Sequence, residues 1–297
     1  MEWQQLRGFH FVAKERSFTK AAKLTYRTQS ALSQQIKSLE QEFGCTLFDR
    51  TTPRKISLTA EGERLFEFSE EVLSKFEVLK EDMYAMQGQP IGNLKFAAPF
   101  TTLTRLFPEI LSSFTEKFPF VKFKVLDRHQ SEAIRLVQRG EVDFCVALQS
   151  SIPETLKSIS WKKVHFVLMV PSNHPLTKFK RLTVNQIAKY PLILPPQNML
   201  LPRRKRFIES LKNASKDFQV VMESSNVELS SIYVEKGLGI SIASVIEGLE
   251  LLNNRELQFI SLDNHLKPEQ LSLVMRKRTI LSGYKKSFID LVLKPNN

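Results

Sequence analysis

A run of uncharged hydrogen-bonding side chains, followed by one lysine, could bind nucleic acid. The run comprises Thr28, Gln29, Ser30, Ser33, Gln34 and Lys37. Hydroxyl and amide groups of this kind can enter the major groove of DNA and form hydrogen bonds with base edges, and a lysine can bind a phosphate. No carboxylate occurs in this stretch before Glu40, so nothing in it repels the phosphate backbone. The pattern indicates a surface that reads duplex DNA.

Two helices are predicted to position these side chains. The first begins after Ser17, a suitable N-cap, and its apolar stripe is formed by Phe18, Ala21, Ala22 and Leu24. The second is capped by Thr28 or Ser30, ends at Gly44, and buries Ala31, Leu32, Ile36, Leu39 and Phe43. Two helices joined by a tight turn, with polar residues at the start of the second, are typical of a helix-turn-helix motif. A small helical bundle with a solvated polar face is the alternative.

Two short segments, residues 47–49 and 56–59, enclose a basic turn. They predict a pair of strands, and Arg50, Arg54 and Lys55 are spaced to bind the phosphate backbone beside the second helix. A further helix over residues 3–14 is expected to cover the other two with its apolar side and to leave Arg7 and His10 exposed. Residues 1–59 are therefore predicted to form a mainly α winged helix-turn-helix domain.

Residues 1–90 closely resemble the LysR-type transcriptional regulators. The resemblance rests on Ser-Phe-Thr-Lys-Ala-Ala at 17–22, Thr-Gln-Ser-Ala-Leu-Ser-Gln-Gln-Ile at 28–36, Leu-Glu at 39–40, Leu-Phe-Asp-Arg at 47–50 and Leu-Thr-Ala-Glu-Gly at 58–62. Thr25 departs from the pattern, because the family usually has an aliphatic core residue there, and Leu24 and Tyr26 are expected to fill the space. Arg27, at a position that is often aliphatic, adds a positive charge beside the candidate DNA-binding surface.

The resemblance implies a sequence-specific transcriptional regulator that binds double-stranded promoter DNA and responds to a small-molecule effector. It also implies tetramers built as dimers of dimers, which bend the promoter, with RNA polymerase as a candidate partner. Two other classes stay open, namely an enzyme on an α/β scaffold and an architectural DNA binder that needs no effector. Against the enzyme, the sequence contains no Gly-x-Ser-x-Gly motif, phosphate-binding loop or paired acidic site.

A long amphipathic helix is predicted over residues 60–87. Its apolar side recurs at heptad-like spacing and is formed by Leu65, Phe68, Val72, Phe76, Leu79, Met83 and Met86. So small an N-terminal module has little surface to cover this side, which favours pairing with the same helix of a second subunit. Packing onto its own chain is the alternative. The resemblance agrees with a dimerising linker helix, and a dimer places two recognition helices on two half-sites.

Residues 88–93 predict a hinge, and alternating strands and helices follow it. This alternation implies parallel sheets with right-handed crossovers. We expect residues 94–297 to form an α/β effector domain of the bilobed periplasmic-binding-protein type, whose subdomains are residues 94–160 with 268–297 and residues 161–267. The chain is predicted to cross between them near residues 150–163 and 263–268. The resemblance to the LysR effector domain covers this segment with weaker motifs.

Polar residues follow several predicted strands, where the N-termini of helices offer unpaired N–H groups to a ligand. The candidate effector-binding residues are Phe100, Thr101, Thr102, Gln149, Ser150, Gln197, Asn198 and Ser225. Hydroxyls beside a helix N-terminus can bind a carboxylate, a sulfate or an amide. The alternative for each is a simple capping role, because Ser and Thr before a helix commonly cap it.

The charge distribution bears on the chemistry of the effector. The 297 residues carry a net charge of +12, with a pI near 9.6. Residues 1–58 contain ten Lys/Arg and five Asp/Glu, and residues 59–90 contain three and eight, so residues 91–297 carry the whole excess. A basic effector domain favours an anionic effector, with a merely solvated basic surface as the alternative.

The two cysteines, Cys45 and Cys145, lie a hundred positions apart in different predicted domains and form no metal-binding pattern. Cys145 lies in an apolar run and is expected to be a buried strand residue, with redox sensing the less favoured reading for either thiol. We expect no metal, no catalytic residue and no cofactor other than the effector. The chain shows no signal peptide and no membrane-spanning run, so a cytoplasmic location is predicted.

Overall fold

The computed structural model describes residues 1–49, 56–248 and 255–294. It divides into two compact units, Met1–Gly92 with Arg278–Lys286, and Asn93–Lys277 with Ser287–Asn297. The elements of the first unit are α1 (Trp3–Glu15), α2 (Phe18–Thr25), α3 (Gln29–Phe43), β1 (Phe48–Asp49), β2 (Ser57–Leu58) and α4 (Ala60–Met86). Strands β1 and β2 pair antiparallel, as expected for the base of a wing. The predicted winged helix-turn-helix fold is confirmed, and Arg50, Arg54 and Lys55 lie outside the described residues.

Side-chain caps fix the helix ends of this unit. The hydroxyl of Thr28 accepts a hydrogen bond from the N–H of Ala31 at the start of α3, and Gly44 ends the helix with a φ of 65°. Ser17 caps α2 in the same way through the N–H of Lys20. Because these caps satisfy backbone groups that have no partner within the helix, they fix the register of both helices.

The core of the first unit forms between the inward sides of these helices and the wing. Its fully buried side chains include Phe9, Leu32, Ile36 and Leu39. Phe43, in the last turn of α3, is exposed, contrary to prediction.

The expected packing around Thr25 is also wrong. Leu24 is exposed, and 94% of Tyr26 is accessible, so neither fills the space where the family usually has an aliphatic residue. Thr25 instead donates its hydroxyl to the carbonyl oxygen of Ala21 at 2.8 Å. A polar side chain is therefore accommodated within the helix by hydrogen bonding to the preceding turn.

The expectation that His10 is exposed is wrong as well. Its ring is buried, stacks on Phe66 at 5.3 Å between centroids, and contacts the hydroxyl of Ser69 through Nδ1 at 3.1 Å. Both partners belong to α4, so this environment arises from a helix distant in the sequence. The polar ring is tolerated in the core because it has a hydrogen-bonding partner there.

Helix α4 begins against the wing. Thr59 caps its first turn through the N–H of Gly62, and Leu65 joins the core. Gly62 lies so close to the wing that a Cβ added there would be 2.0 Å from the carbonyl oxygen of Leu47. The close approach of α4 to the wing therefore requires glycine at this position.

Gly62→Ala should destabilise the first unit by about 1–3 kcal/mol or more, because the clash is with backbone rather than with a flexible side chain. Urea unfolding of the full chain, followed through helical circular dichroism, measures the effect. Glu63→Ala, at the next and exposed position of the helix, is the matched control. Equal unfolding midpoints for the two variants would contradict the proposed contact.

The second unit alternates strands and helices. Its elements are β3 (Gly92–Ala98), α5 (Phe100–Lys117), β4 (Val121–Asp127), α6 (Gln130–Gln138), β5 (Phe144–Leu148), β6 (Leu156–Pro171), α7 (Val184–Ile187), β7 (Leu192–Leu194), α8 (Pro202–Ala214), β8 (Val220–Glu223), α9 (Val227–Glu235), β9 (Ile240–Ile246), β10 (Leu257–Ser261), β11 (Glu269–Arg276) and α10 (Gly283–Leu293). The strands form one sheet in the order β4-β3-β5-β11-β6-β9-β7-β8, with β10 paired to β6. This is the predicted α/β architecture.

Strand β6 connects two lobes, the first built on β3–β5 and the second on β7–β10. From Leu156 to Val164 it pairs with β11, and beyond Val164 it pairs with β9 and β10. The first predicted crossing, near residues 150–163, is therefore largely a continuous strand. The division that we expected at residue 160 falls within it.

The sheet is mixed, whereas the sequence pattern predicted parallel pairing. The prediction holds for β3 with β5, and for β7 with both β8 and β9. It is wrong for β11, which is antiparallel to β5 and β6, and for β6 with β9. The chain passes from β10 to β11 across residues 262–268 with no helix between them, and β11 pairs with β5 and β6, not with β10.

Candidate functional site

The polar start of α3 forms an exposed surface in the first unit. Arg27, Thr28, Gln29, Ser30, Ser33, Gln34 and Lys37 are all exposed. Gln29 accepts a hydrogen bond from the hydroxyl of Thr19 at 3.2 Å. The hydroxyls of Thr28 and Ser30 are 3.0 Å apart. These contacts hold the first turn of α3 and leave the next turn free.

Three of these side chains have unused hydrogen-bonding capacity. In the described part of the chain, Ser33, Gln34 and Lys37 form no side-chain hydrogen bond or salt bridge. They share one side of α3, because residues three and four positions apart are neighbours on a helix. The opposite side of α3 is buried through Leu32 and Ile36, so the orientation of this surface is fixed.

Tyr26 is a candidate contact that the sequence reasoning missed. It lies in the turn before α3 with a φ of 54°, a left-handed conformation that few residues other than glycine adopt. Its exposed ring precedes Arg27 in the same turn. Tyr26 was expected in the core because position 25 lacks the aliphatic residue that is usual in the family.

A cavity of about 470 Å³ lies between the two lobes of the second unit. Four of the candidate effector-binding residues line it, namely Phe100, Thr101, Thr102 and Ser225. The structure does not place Gln149, Ser150 or Gln197 among its lining residues, and the side chain of Asn198 is outside what is described. The volume suits a small metabolite.

Two of the residues outside the cavity hold the strands together. Gln149 Oε1 accepts a hydrogen bond from the hydroxyl of Ser272 at 2.8 Å, and Ser150 donates its hydroxyl to Glu269. Both therefore tie the end of β5 to β11. The sequence showed that the strand ends there but did not show that its neighbour is β11.

The helix N-termini beside the cavity differ in their capping. Asn226 Oδ1 accepts hydrogen bonds from the N–H groups of Glu228 and Leu229, so the first turn of α9 is satisfied by its own chain. Helix α5 follows Pro99, which offers no side-chain cap, and its first residues line the cavity. The N–H groups of this first turn have no partner within the helix and carry the positive end of the helix dipole.

Three arginines line the cavity, and two of them are paired. Arg105 of α5 forms a salt bridge with Glu228 of α9 at 2.9 Å, which joins the first lobe to the second. Arg128 pairs with Glu132 on α6 at 3.0 Å. These two positive charges are therefore largely compensated within the cleft.

The third arginine, Arg204, was missed as a site residue. It lies in the first turn of α8 and donates from Nη2 to the hydroxyl of Ser244, and its guanidinium carbon lies 4.7 Å from the centre of the Phe166 ring. Its Nε is buried with no hydrogen-bond partner. Burial lowers the pKa of Arg204 to about 10, with the charge of Glu269 acting in the opposite direction.

The imidazole of His129 lines the same cavity. Burial lowers the pKa of His129, and the positive charge of Arg204 lowers it further. Within the described residues no group of three or more His, Cys, Asp or Glu side chains is placed to hold a metal ion. In the same part of the chain no helix is both long enough and apolar enough to span a bilayer.

Known protein families account for both units. A model described as "LysR substrate binding domain" matches residues 87–295, and one described as "Bacterial regulatory helix-turn-helix protein, lysR family" matches residues 3–63. The chain belongs to the LysR family of helix-turn-helix transcriptional regulators. Members of this family are regulators with an effector-binding domain and are not enzymes.

Individual relatives agree with this assignment. The uncharacterized HTH-type transcriptional regulator YybE of Bacillus subtilis is 31% identical over 253 residues, which cover 84% of this chain and 85% of the relative. The cofactor-binding domain of the Cbl transcriptional regulator superposes with a TM-score of 0.58 at 26% identity, covering 68% of this chain and 88% of that one. A full-length OxyR variant from Pseudomonas aeruginosa has the same fold, with a TM-score of 0.66 at 20% identity, covering 99% and 93%.

The two thiols differ in accessibility. Cys145 lies in the middle of β5, fully buried as predicted, and burial raises the pKa of its thiol to about 12. Cys45 is partly exposed after α3. Because the thiolate is the reactive form, Cys145 is poorly suited to redox sensing in the folded protein.

Iodoacetamide at pH 8 should alkylate Cys45 of the native chain much faster than Cys145, because Cys145 is both buried and protonated at that pH. Mass spectrometry of the peptides gives the two rates, and the urea-unfolded chain, in which both thiols should react, is the control. Equal rates in the native chain would show that β5 opens readily and would restore Cys145 as a candidate sensor.

Proposed function

We propose that α3 reads operator DNA through its exposed polar side and that a small anionic effector in the cleft controls this binding. The proposal that α3 reads DNA rests on one observation. In the described part of the chain, Ser33, Gln34 and Lys37 form no side-chain hydrogen bond or salt bridge, and they lie on a helix whose other side is buried. Amide and hydroxyl groups suit base edges, and the lysine suits a phosphate. Arg27 and the exposed ring of Tyr26 extend this surface at the N-terminal end of the helix.

We further propose that the chain acts as a homodimer through α4. Leu65 lies in the core, but Phe68, Phe76, Leu79, Met83 and Met86 are exposed on the single chain, Met86 to 88%. Exposed apolar side chains repeated along a helix are typical of an interaction surface. A second copy of α4 is the proposed partner, because the same apolar spacing on both helices allows them to interdigitate.

Control by the effector would act through closure of the lobes. The Arg105–Glu228 salt bridge joins α5 and α9 across the cleft, so a ligand that favours one lobe separation also shifts the occupancy of this bridge. An architectural DNA binder has no need for such a cavity. The same proposal includes assembly of dimers into a tetramer and contact with RNA polymerase. It also includes a cytoplasmic location, where promoter DNA is accessible in a bacterium.

For DNA binding, Ser33→Ala or Gln34→Ala should reduce the preference for operator over unrelated DNA by about 1–3 kcal/mol, because a base contact is lost. Lys37→Ala should weaken binding to every sequence and lower the salt slope by about one, because a phosphate contact is lost. Fluorescence anisotropy across a salt series, on fragments identified by genome-wide occupancy mapping, measures both quantities.

Gln41→Ala, on the exposed side near the end of α3, is the matched control and should change neither quantity. Identical effects of Gln34→Ala and Lys37→Ala on preference and on salt slope would contradict the division into base and phosphate contacts. Unchanged binding in all the variants would exclude this side of α3 as the DNA-binding surface.

For dimerisation, the double variant Leu79→Ala with Met83→Ala should weaken self-association at least about a hundredfold, because it removes buried apolar atoms from both subunits of the interface. Sedimentation velocity over a concentration series gives the dissociation constant. The matched control is Glu77→Ala with Asp82→Ala, two exposed polar positions of the same helix. A wild-type chain that sediments as a monomer at micromolar concentration would rule out the dimer.

A further inference from the structure

Arg204 differs from the other charged groups of the cleft because its side chain is partly buried, its Nε is fully enclosed and most of its N–H donors are unused. An arginine carries five N–H donors. Among the described residues, Ser244 supplies its one hydrogen-bond acceptor, and Nε is enclosed without any. The side chain nevertheless lines the cavity between the lobes. The protein therefore satisfies only a small part of the hydrogen-bonding capacity of this group.

The guanidinium of Arg204 also forms no salt bridge among the described residues, although the charge of Glu269 partly stabilises it. Burying a cation costs free energy unless a negative group compensates it. Glu269 accepts a hydrogen bond from Ser150 and does not form a salt bridge with Arg204 in the described structure. The Phe166 ring contributes a cation–π contact, which is weaker than an ion pair. A ligand that brings negative charge would offset the cost of burial.

The other arginines nearby show that this situation is particular to Arg204. Arg105 and Arg128 also line the cavity, but each forms a salt bridge with a glutamate. Arg203, its neighbour on α8, is exposed and lies outside the cavity lining. Of the three described arginines that line the cavity, Arg204 is therefore the one that forms no salt bridge.

A second feature of the cavity favours the same kind of ligand. The uncapped first turn of α5, from Phe100 to Thr102, lines the cavity and offers backbone N–H groups at the positive end of the helix. Apolar side chains such as Val164, Ile242 and Leu271 line other parts of it. The lining thus combines positive groups for an anion with an apolar surface for the rest of a small molecule.

We propose that Arg204 binds the anionic group of the effector, an oxyanion such as a carboxylate, sulfonate, sulfate or phosphate, inside the cleft. This inference rests on the effector function proposed above, narrows its anionic ligand to an oxyanion and names the residue that selects it. A guanidinium binds oxyanions through paired N–H···O bonds that an amide or alcohol cannot match in strength. The hydrogen bond to Ser244 and the ring of Phe166 hold the guanidinium in place for this contact.

The test measures thermal stabilisation of the full-length chain by named anions at constant ionic strength. Sodium benzoate, benzenesulfonate, sulfate and phosphate are titrated against sodium chloride, and benzamide is the neutral analogue of benzoate. The variants are Arg204→Gln, which removes the charge, and Arg204→Lys, which retains it. Arg203→Gln is the matched control, because it removes the same charge from an exposed position on the same helix turn.

At least one anion should stabilise the wild-type chain and Arg203→Gln equally, and benzamide should not. Arg204→Gln should bind that anion about tenfold to a hundredfold more weakly, as expected for the loss of a charge-assisted hydrogen bond, and Arg204→Lys should be intermediate. Should Arg204→Gln fail to fold, Arg204→Lys against Arg203→Lys decides the question. A purely structural arginine would lower the stability of the unliganded variant without changing the dependence on anion concentration.

Equal anion binding by Arg204→Gln and wild type would overturn the inference, as would wild-type stabilisation by benzamide to the same extent as by benzoate. Equal stabilisation by benzamide and benzoate would be consistent with an effector site in the cleft but would show that its ligand need not be an anion. Stabilisation by none of the anions and by no neutral compound would overturn both. Selective response to benzoate or benzenesulfonate indicates an organic anion, and selective response to sulfate or phosphate indicates an inorganic one.

Discussion

The packing of one side of α3 into the core is the constraint on which the DNA-binding function depends. Leu32, Ile36 and Leu39 are fully buried against a core that includes Phe9 of α1. This burial fixes the rotation of the helix about its own axis, and the Thr28 cap fixes where it begins. The polar residues therefore have no freedom to turn inward, and their direction is set by apolar contacts in which they take no part. Rigid presentation of this kind limits the entropy lost on binding.

Local patterns were sufficient to predict the helices, their caps and the alternation of strands and helices. The N-cap Thr28, the end at Gly44 and the apolar spacing of α3 depend on neighbours within a few residues, so they can be read from the chain alone. The environment of His10 could not be predicted in this way, because its partners Phe66 and Ser69 lie on α4. The antiparallel pairing of β11 depends likewise on strands distant in the sequence.

The residues of the cleft likewise differ in whether the local sequence or only the tertiary structure reveals them. The position of Thr101 and Thr102 follows from the end of β3 and the start of α5, and the structure places both in the cavity lining. Arg204 carried no comparable signal, because it is one of four basic residues in the sequence Arg-Arg-Lys-Arg at 203–206. Its burial is created by Phe166 on β6 and Ser244 on β9, two strands that pair with each other. Only the assembled sheet distinguishes it from Arg203.

The DNA-binding surface and the cleft differ in the free energy that their unpaired polar groups cost when no ligand is bound. Exposed groups such as Gln34 are satisfied by water when no ligand is bound, so their unpaired state costs little. Membership of the LysR family adds independent support for DNA binding through this domain. A partly buried guanidinium that forms no salt bridge is costly in the unliganded protein, and the proposed anion would remove part of that cost. Since Arg204 belongs to the second lobe and the open turn of α5 to the first, an anion that contacts both would favour their approach. The Arg105–Glu228 bridge joins the same two lobes, so under this proposal the charge of the ligand and the closure of the cleft would form one coupled equilibrium.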